Sequence, residues 1–401
     1  MMRMKKYLIF ISDRNSSLPV RLAWLFIFII SLFAIFGPFI ANEKPYYCKL
    51  EGKSYYPIFS GISEATLSKL HPDHSPVNWY TTEFESIMYA PIPYSHFTID
   101  LDSGKHLSPF AKQDHGIRLR HWLGTDLVAR DVAAGMIRGC RISLLIGLGS
   151  MLLALLIGIP LGALAAYWGN KGWRATWLQI IIGIITIAIL CYIIWLQVGP
   201  MNKLLLIFTA LSIGMFAIYF FGKIETKRAS LPVDHFIMGL VSIIDSFPGL
   251  FIVLILLVIV PVKGWVIVMC SIALLRWPVM ARYMRAEVFK MKESNYIKAA
   301  QGLNIPHINI LTTHIIPYAF RPVMISFIFG IASAILAESS LSFLGIGLPP
   351  EELNWGRLLA QSRNYFHAWW LVLFPGAAIF FTLLSFYTIG NAARKAVEER
   401  A

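Results

Sequence analysis

Charge is scarce in this 401-residue sequence. Only 14% of its residues are Asp, Glu, Lys or Arg, against 57% hydrophobic, where soluble domains carry roughly 25% charged residues. That deficit argues against an ordinary soluble fold. Cysteine is equally thin: Cys48, Cys140, Cys191 and Cys270 show no CxxC pair or ligand spacing, which speaks against a disulfide framework. Enzyme signatures are missing too. No HExxH or GxSxG occurs. The only Gly-Lys-Ser, Gly52-Lys53-Ser54, has Tyr47 where a phosphate-cradling loop needs its first glycine, so the chain binds no ATP by that route.

What the sequence has instead is long apolar runs, and a mean hydropathy of +0.63. Crossing a bilayer takes about 20 apolar residues at 1.5 Å rise each, and eight segments qualify: 22–40, 142–166, 175–196, 204–221, 236–260, 265–281, 318–344 and 369–389. Backbone groups in lipid must be satisfied internally, so each run is expected to be a helix, despite Gly158-Ile159-Pro160 and Phe247-Pro248-Gly249. The first run is longer than a signal-peptide core and reads as an uncleaved span. A formal net charge of +13 could suggest nucleic acid, but the basic residues mostly sit between apolar runs, where they orient helices; no nucleic-acid partner is expected.

Lys and Arg concentrate in the N-terminus (1–21), around Lys171 and Arg174, around Lys223 to Arg228, from Arg282 to Lys298, and in the tail (390–401). The opposite short loops hold only Lys203, Lys263, Arg357 and Arg363. The positive-inside rule then makes both termini and the 282–317 loop cytoplasmic and puts 41–141 outside. That external insertion is rich in Tyr, Pro and His and is expected to be strand-like or irregular. Six of the ten histidines fall in it (His71, His74, His96, His106, His115, His121). His71-Pro-Asp-His74 has tempting metal spacing, but Pro72 opposes the helix that would converge the pair, so no metal is expected.

Other segments carry more specific signals. His121-Trp-Leu-Gly124-Thr125-Asp126 reads as a turn before an interfacial helix capped by Thr125 or Asp126, with Asp126 and Arg130 four apart on one face. Asp245 and Glu338 are intramembrane carboxylates, and Glu338 lies on a small, polar face with Ser339, Ser340 and Ser342. In the cytoplasmic loop, Tyr296 to Leu303 forms a short helix. Asn304 follows, a residue that tolerates the left-handed conformation, and Pro306 bars continuation. Ala299 and Ala300 allow close approach of a partner, while Ile297 and Leu303 can anchor the helix in a groove.

Read together, these segments carry a resemblance. Tyr296-Ile-Lys298-Ala299-Ala300-Gln-Gly-Leu-Asn304, followed by His314-Ile-Ile-Pro317, resembles the EAA loop of ABC-importer permeases. Leu123-Gly-Thr-Asp126, Arg130-Asp131, Gly139-Cys-Arg141-Ile-Ser143, Ile335-Leu-Ala-Glu338 through Gly345 and Asn354-Trp355-Gly356 resemble the C-type subunit of peptide importers, and the external insertion resembles the YejE-like branch. Two departures stand out: Lys298 replaces the family's glutamate, and Asn304 aligns with its loop glycine.

The resemblance implies an all-α polytopic inner-membrane protein with the type I importer fold. Its core (142–389) would have six helices with the first span, interrupted by an inserted hairpin at 175–221. It implies a peptide or peptide-like cargo and alternating access in the lipid bilayer. The implied partners are a second homologous permease, two ABC ATPase subunits and a periplasmic substrate-binding protein. Ile297, Lys298, Ala299, Ala300, Leu303 and Asn304 would couple to the ATPase, and Asp126, Arg130, Asp131, Glu338, Trp355 and Gly356 would have gating or structural roles. ATP chemistry would belong to the partners, leaving this chain no enzyme and without a cofactor. The same fold could import nickel chelates or a peptide antibiotic. A free-standing secondary transporter is disfavoured, because Asp245 and Glu338 are too few for an ion pathway.

Overall fold

The computed structural model describes residues 17–399, apart from 51, 71–77, 81, 83, 101–103, 114–118, 261–263 and most of 171–227. The 71–74 histidine pair, His115, Cys191 and most of the 175–221 hairpin lie outside the described residues. Among the described residues five helices are long and apolar enough to cross a membrane: α1 (Leu18–Ile40), α4 (Val132–Trp168), α7 (Trp265–Lys292), the run His307–Phe343 that ends in α10 (Ile316–Phe343), and α12 (Trp370–Glu398). Counted as one span, the bent pair α5 (Val233–Ser246) and α6 (Gly249–Ile259) brings the number to six. Here one continuous helix was expected over 236–260. Pro248 has no N–H to donate and disfavours the helical conformation at Phe247, so the helix stops and restarts.

These helices present apolar side chains outward as well as inward. On α1, Leu25, Phe28 and Ile35 are more than half exposed, which suits a surface whose solvent is lipid. The chain divides into two compact units, residues 1–157, 247–280 and 321–401, and residues 158–246 and 281–320. In the first, α1 packs on α12, with Phe26 and Phe381 5.9 Å apart between ring centroids. Small residues bring its helices close: a β-carbon on Gly330 would collide with Met151, and Ile335 fills the space beside Gly147. In the second unit, Gly162 lies directly against the backbone carbonyl of Ala281.

The segment between α1 and α4 folds as part of the first unit. Strands β1 (Tyr47–Leu50), β2 (Lys53–Tyr55) and β3 (Ser86–Met88) form an antiparallel sheet in the order β2-β1-β3. With the short helices α2 (Pro57–Ser60) and α3 (Glu64–Leu70), it encloses a small core of Cys48, Leu50, Leu67 and Trp79. The Cys48 thiol, with no disulfide partner, is pushed up by burial to about 11. In the second unit, β4 (Trp173–Thr176) pairs antiparallel with β5 (Arg228–Leu231), setting Thr176 opposite Arg228. Ala175 and Thr176, expected to open a membrane span, are therefore strand residues.

Candidate functional site

The candidate residues fall into two groups, one in each unit. In the first unit, residues 121–131 form a compact turn system ahead of α4, where a capped helix was expected. Asp126 Oδ1 accepts from the backbone N–H of Val128 (2.9 Å) and Arg130 (2.8 Å), closing a local turn, and Ala129 takes a positive φ of 66°. Neither Thr125 nor Asp126 caps the helix. Asp131 does: its Oδ1 accepts from Ala134 N at 2.7 Å, so α4 begins at Val132. The spacing of Asp126 and Arg130 nonetheless produces a buried ion pair of 2.9 Å.

Longer-range bonds fasten this turn to α11 (Trp355–Ser362) and α12. Gln361 donates to Asp126 Oδ2 at 3.1 Å and accepts from Leu127 N at 3.1 Å. Trp370 Nε1 donates to the Thr125 carbonyl, and Arg138 makes a two-pronged contact with Glu352 at 2.9–3.1 Å. His121, fully buried, lies between two carboxylates, Asp131 at 2.8 Å and Asp100 at 3.2 Å, with its ring stacked on Tyr94. Burial opposes its charge, but the two carboxylates outweigh that and hold its pKa above the ordinary histidine value. Its neighbour in the insertion, His96, is pushed down to about 4 by burial and by the charges of Arg138 and Arg130.

Glu338, buried on α10, is the centre of a polar knot. Ser143 (3.0 Å) and Ser339 (3.3 Å) donate to one carboxyl oxygen, and Ser342 (3.1 Å) and Asn354 (2.6 Å) to the other. Four donors supply the hydrogen bonding that a buried carboxyl group requires. Asn354 serves twice, since its Oδ1 also caps α11 by accepting from Arg357 N at 2.8 Å. Trp355, fully buried, donates to the Met136 carbonyl and presses on Gly139, where any β-carbon would strike its indole. Gly356 touches the Ser339 backbone, leaving no room for a side chain. Asp126, Glu338, Trp355 and Gly356 thus all join α11 to its neighbours, Arg130 pairs with Asp126 and reaches the Glu351 carbonyl (3.3 Å), and Asp131 starts α4.

In the second unit, the loop after α7 forms a short helix, α8 (Asn295–Gly302), set between the end of α7 and α9 (His307–Asn309). Asn304 takes the left-handed conformation (φ 56°). Asn304 N bonds to the Gln301 carbonyl (3.0 Å) and Ile305 N to that of Ala300 (3.4 Å), the paired closure of a Schellman turn. Helix α8 packs on a π-helical turn, Ile310–Ile315, whose Ile310, Leu311 and Ile315 are buried, and Tyr296 hydrogen-bonds His314. Lys292 Nζ reaches the Tyr167 carbonyl at 2.7 Å, and Tyr167 bonds His307 at 2.8 Å.

This packing revises the assignment of faces. Ile297, expected to anchor a partner, is fully buried within the chain, and Ala300 is nearly so. Leu303 is 78% exposed, with Tyr296, Lys298 and Ala299 also outward. Lys298 pairs with Glu293 at 3.2 Å, both largely in solvent. Asp245, the other carboxylate expected within the membrane, is ion-paired with Arg282. Asn354, Ser143 and His121 were named in the sequence only as members of longer motifs, with no role of their own, and Gln361 was not named at all. The Asn-x-x-Arg start of an amphipathic helix was a usable capping signal for Asn354. Gln361 meets Asp126 across 235 positions, which no local pattern reveals.

Among the described residues no group of three His, Cys, Asp or Glu side chains is placed to hold a metal. Several apolar spans, a buried polar knot joining them and a short helix projecting between two long ones define a multi-pass membrane permease. The chain belongs to the family of inner-membrane components of binding-protein-dependent transport systems, whose family model matches residues 214–401. It is 26% identical over 383 residues to the inner membrane ABC transporter permease protein YejE of Escherichia coli K12, covering 94% of this chain and 91% of that one. It is also 26% identical over 407 residues to the peptidoglycan transport system permease protein YejE of Agrobacterium fabrum, covering 94% and 88%. A putative peptide permease protein of Brucella suis is 30% identical over 285 residues, 70% of this chain and 74% of the relative.

Proposed function

We propose that this chain is the permease subunit of an ATP-binding-cassette importer that moves peptides or peptide-like compounds inward by alternating access. It works beside a second homologous permease, with two ABC ATPase subunits hydrolysing the ATP and a periplasmic substrate-binding protein delivering cargo. The chain itself is not an enzyme. Both termini and the 282–317 loop lie in the cytoplasm, a reading supported by the Lys and Arg distribution. The peptide cargo is supported by what the Brucella relative is named for.

The observation that carries the coupling is helix α8. It is pinned to the chain by Ile297, Ala300 and the Tyr296–His314 bond, while Leu303 stands exposed at its end beside the Asn304 turn. A helix fixed on one face and apolar at its tip can push on the spans when the ATPase surface holding it moves. Lys298 and Ala299 line its free face. Asp126, Arg130, Asp131, Glu338, Trp355 and Gly356 fasten the outer ends of α4, α10 and α11, a structural role that gating motions would have to respect.

Co-purification tests this reading. Tagged wild-type chain should retain its ATPase subunits, and Leu303→Glu should release them while still inserting into the membrane. Normal ATPase retention and uptake in that variant would refute the assignment of α8.

A further inference from the structure

Two aromatic clusters stand where the segment between α1 and α4 meets the membrane spans. At the end of α1, Phe59 of α2 lies 6.1 Å from Phe39 and 6.4 Å from Tyr46 between ring centroids, and the Tyr46 hydroxyl donates to the Phe39 carbonyl. At the start of α12, Phe110 stacks on Trp369 at 6.0 Å, and Trp369 in turn meets Phe374 on the span itself at 5.9 Å. The outermost ring of each cluster is bare: Phe59 is 69% exposed and Phe110 82%.

The two clusters reach one height. Counted from the Phe26–Phe381 contact at 1.5 Å per residue, Phe39 and Trp369 each lie about 18–20 Å along their helices. Helix α1 rises about 35 Å in all, so Phe39, next to its last residue, marks the edge of a hydrocarbon layer about 30 Å thick. Aromatic rings gather at that edge because their apolar bodies suit the boundary between acyl chains and headgroups. The exposed rings are thus continuous with the lipid-facing surface of the spans. Charge points to the same neighbour. Residues 104–122 and 363–369, around the second cluster, hold five Lys or Arg against one Asp, and Lys105 and Lys112 are exposed on either side of Phe110 in sequence. Basic groups at this level attract the phosphates of anionic lipid.

We propose that Phe59 and Phe110 seat the segment between α1 and α4 on the bilayer, each ring inserted at the boundary between the headgroups and acyl chains of phospholipid. Lys105 and Lys112 hold anionic headgroups beside Phe110. The segment is fastened to the spans by its own hydrogen bonds and rests on lipid at two further points. This seating depends on the spans alone and holds whatever the cargo.

The test uses the complete transporter in proteoliposomes of phosphatidylethanolamine and phosphatidylglycerol. Cys191→Ser and Cys270→Ser leave only the buried Cys48 and Cys140, so bimane can be attached at Phe59→Cys or Phe110→Cys. Both side chains are exposed, and replacing them leaves the core intact. Phospholipid brominated high on the acyl chain should quench both labels about threefold more strongly than aqueous iodide. Omitting phosphatidylglycerol should weaken the lipid quenching at Phe110→Cys about twofold, and Lys105→Ser with Lys112→Ser should do the same in the anionic membrane. Stronger quenching by iodide at either position would put that ring in water and overturn the seating. Protection from both quenchers would mean a protein neighbour, such as the second permease or a binding protein, and would overturn it equally. An unchanged response at Phe110→Cys without phosphatidylglycerol would overturn the lysine contacts.

Discussion

The side-chain amide of Asn354 holds both ends of one junction: its nitrogen lies 2.6 Å from the buried carboxyl of Glu338, and its oxygen caps α11. Replacement by Asp separates the two duties. Aspartate is as good a cap as asparagine, but it sets a second carboxyl group against Glu338. Asn354→Asp should destabilise the detergent-solubilised protein by about 2–3 kcal/mol, read as a lowered thermal midpoint. Asn354→Ser, which keeps a cap and adds no charge, should lose less.

Gly356 offers a steric test. A methyl group there would strike the Ser339 carbonyl, a backbone atom that cannot swing aside. Gly356→Ala should cost about 1–3 kcal/mol. Gly376, in α12, has open space around its missing β-carbon. Gly376→Ala should be neutral or stabilise by up to about 1 kcal/mol, in line with alanine's higher helix propensity. Thermal unfolding of the two variants side by side distinguishes local collision from a general intolerance to methyl groups.

Two histidines between α1 and α4, the buried His121 and the partly buried His96, predict opposite limbs of a pH profile. The pKa of His121 is raised on folding, so its contribution is complete below the unfolded value of about 6.5 and is lost as pH climbs through the folded value. That of His96 is lowered to about 4, so its contribution is complete above about 6.5 and is lost as pH falls toward 4. Limited proteolysis of the insertion should therefore be slowest near neutrality. His121→Gln should flatten the alkaline limb, and His96→Gln the acidic limb.

Lys298 lies on the exposed face of α8, where its only described partner is Glu293 in an exposed pair. Such pairs are worth about 0–1 kcal/mol. Lys298→Glu should change ATPase retention by less than about fivefold, whereas Leu303→Glu should abolish it. Titration of the purified ATPase against both variants measures the difference.

Much of this was legible in the sequence because the deciding forces are local. Apolar runs must be helical in lipid, and Asn304 followed by Pro306 dictates a left-handed stop. Sequence was less informative where one residue has several possible partners. Asp126 satisfied the rule for a helix cap, but it closes a turn of its own and leaves the cap to Asp131. Ile297 satisfied the rule for a partner anchor, but its own π-helical turn claims it first. Pro248 was tolerable in a membrane helix by rule, and the chain broke there all the same.

The pairing of β4 with β5 also brings two distant points of the chain together. Thr176 and Arg228 face each other in register, so the backbone departs and returns at neighbouring points. A two-residue hairpin turn would be enough to join them directly. The two ends of residues 177–227 are thus neighbours, so excising that stretch and closing the strands with a short turn should leave the path of the helices on either side unchanged.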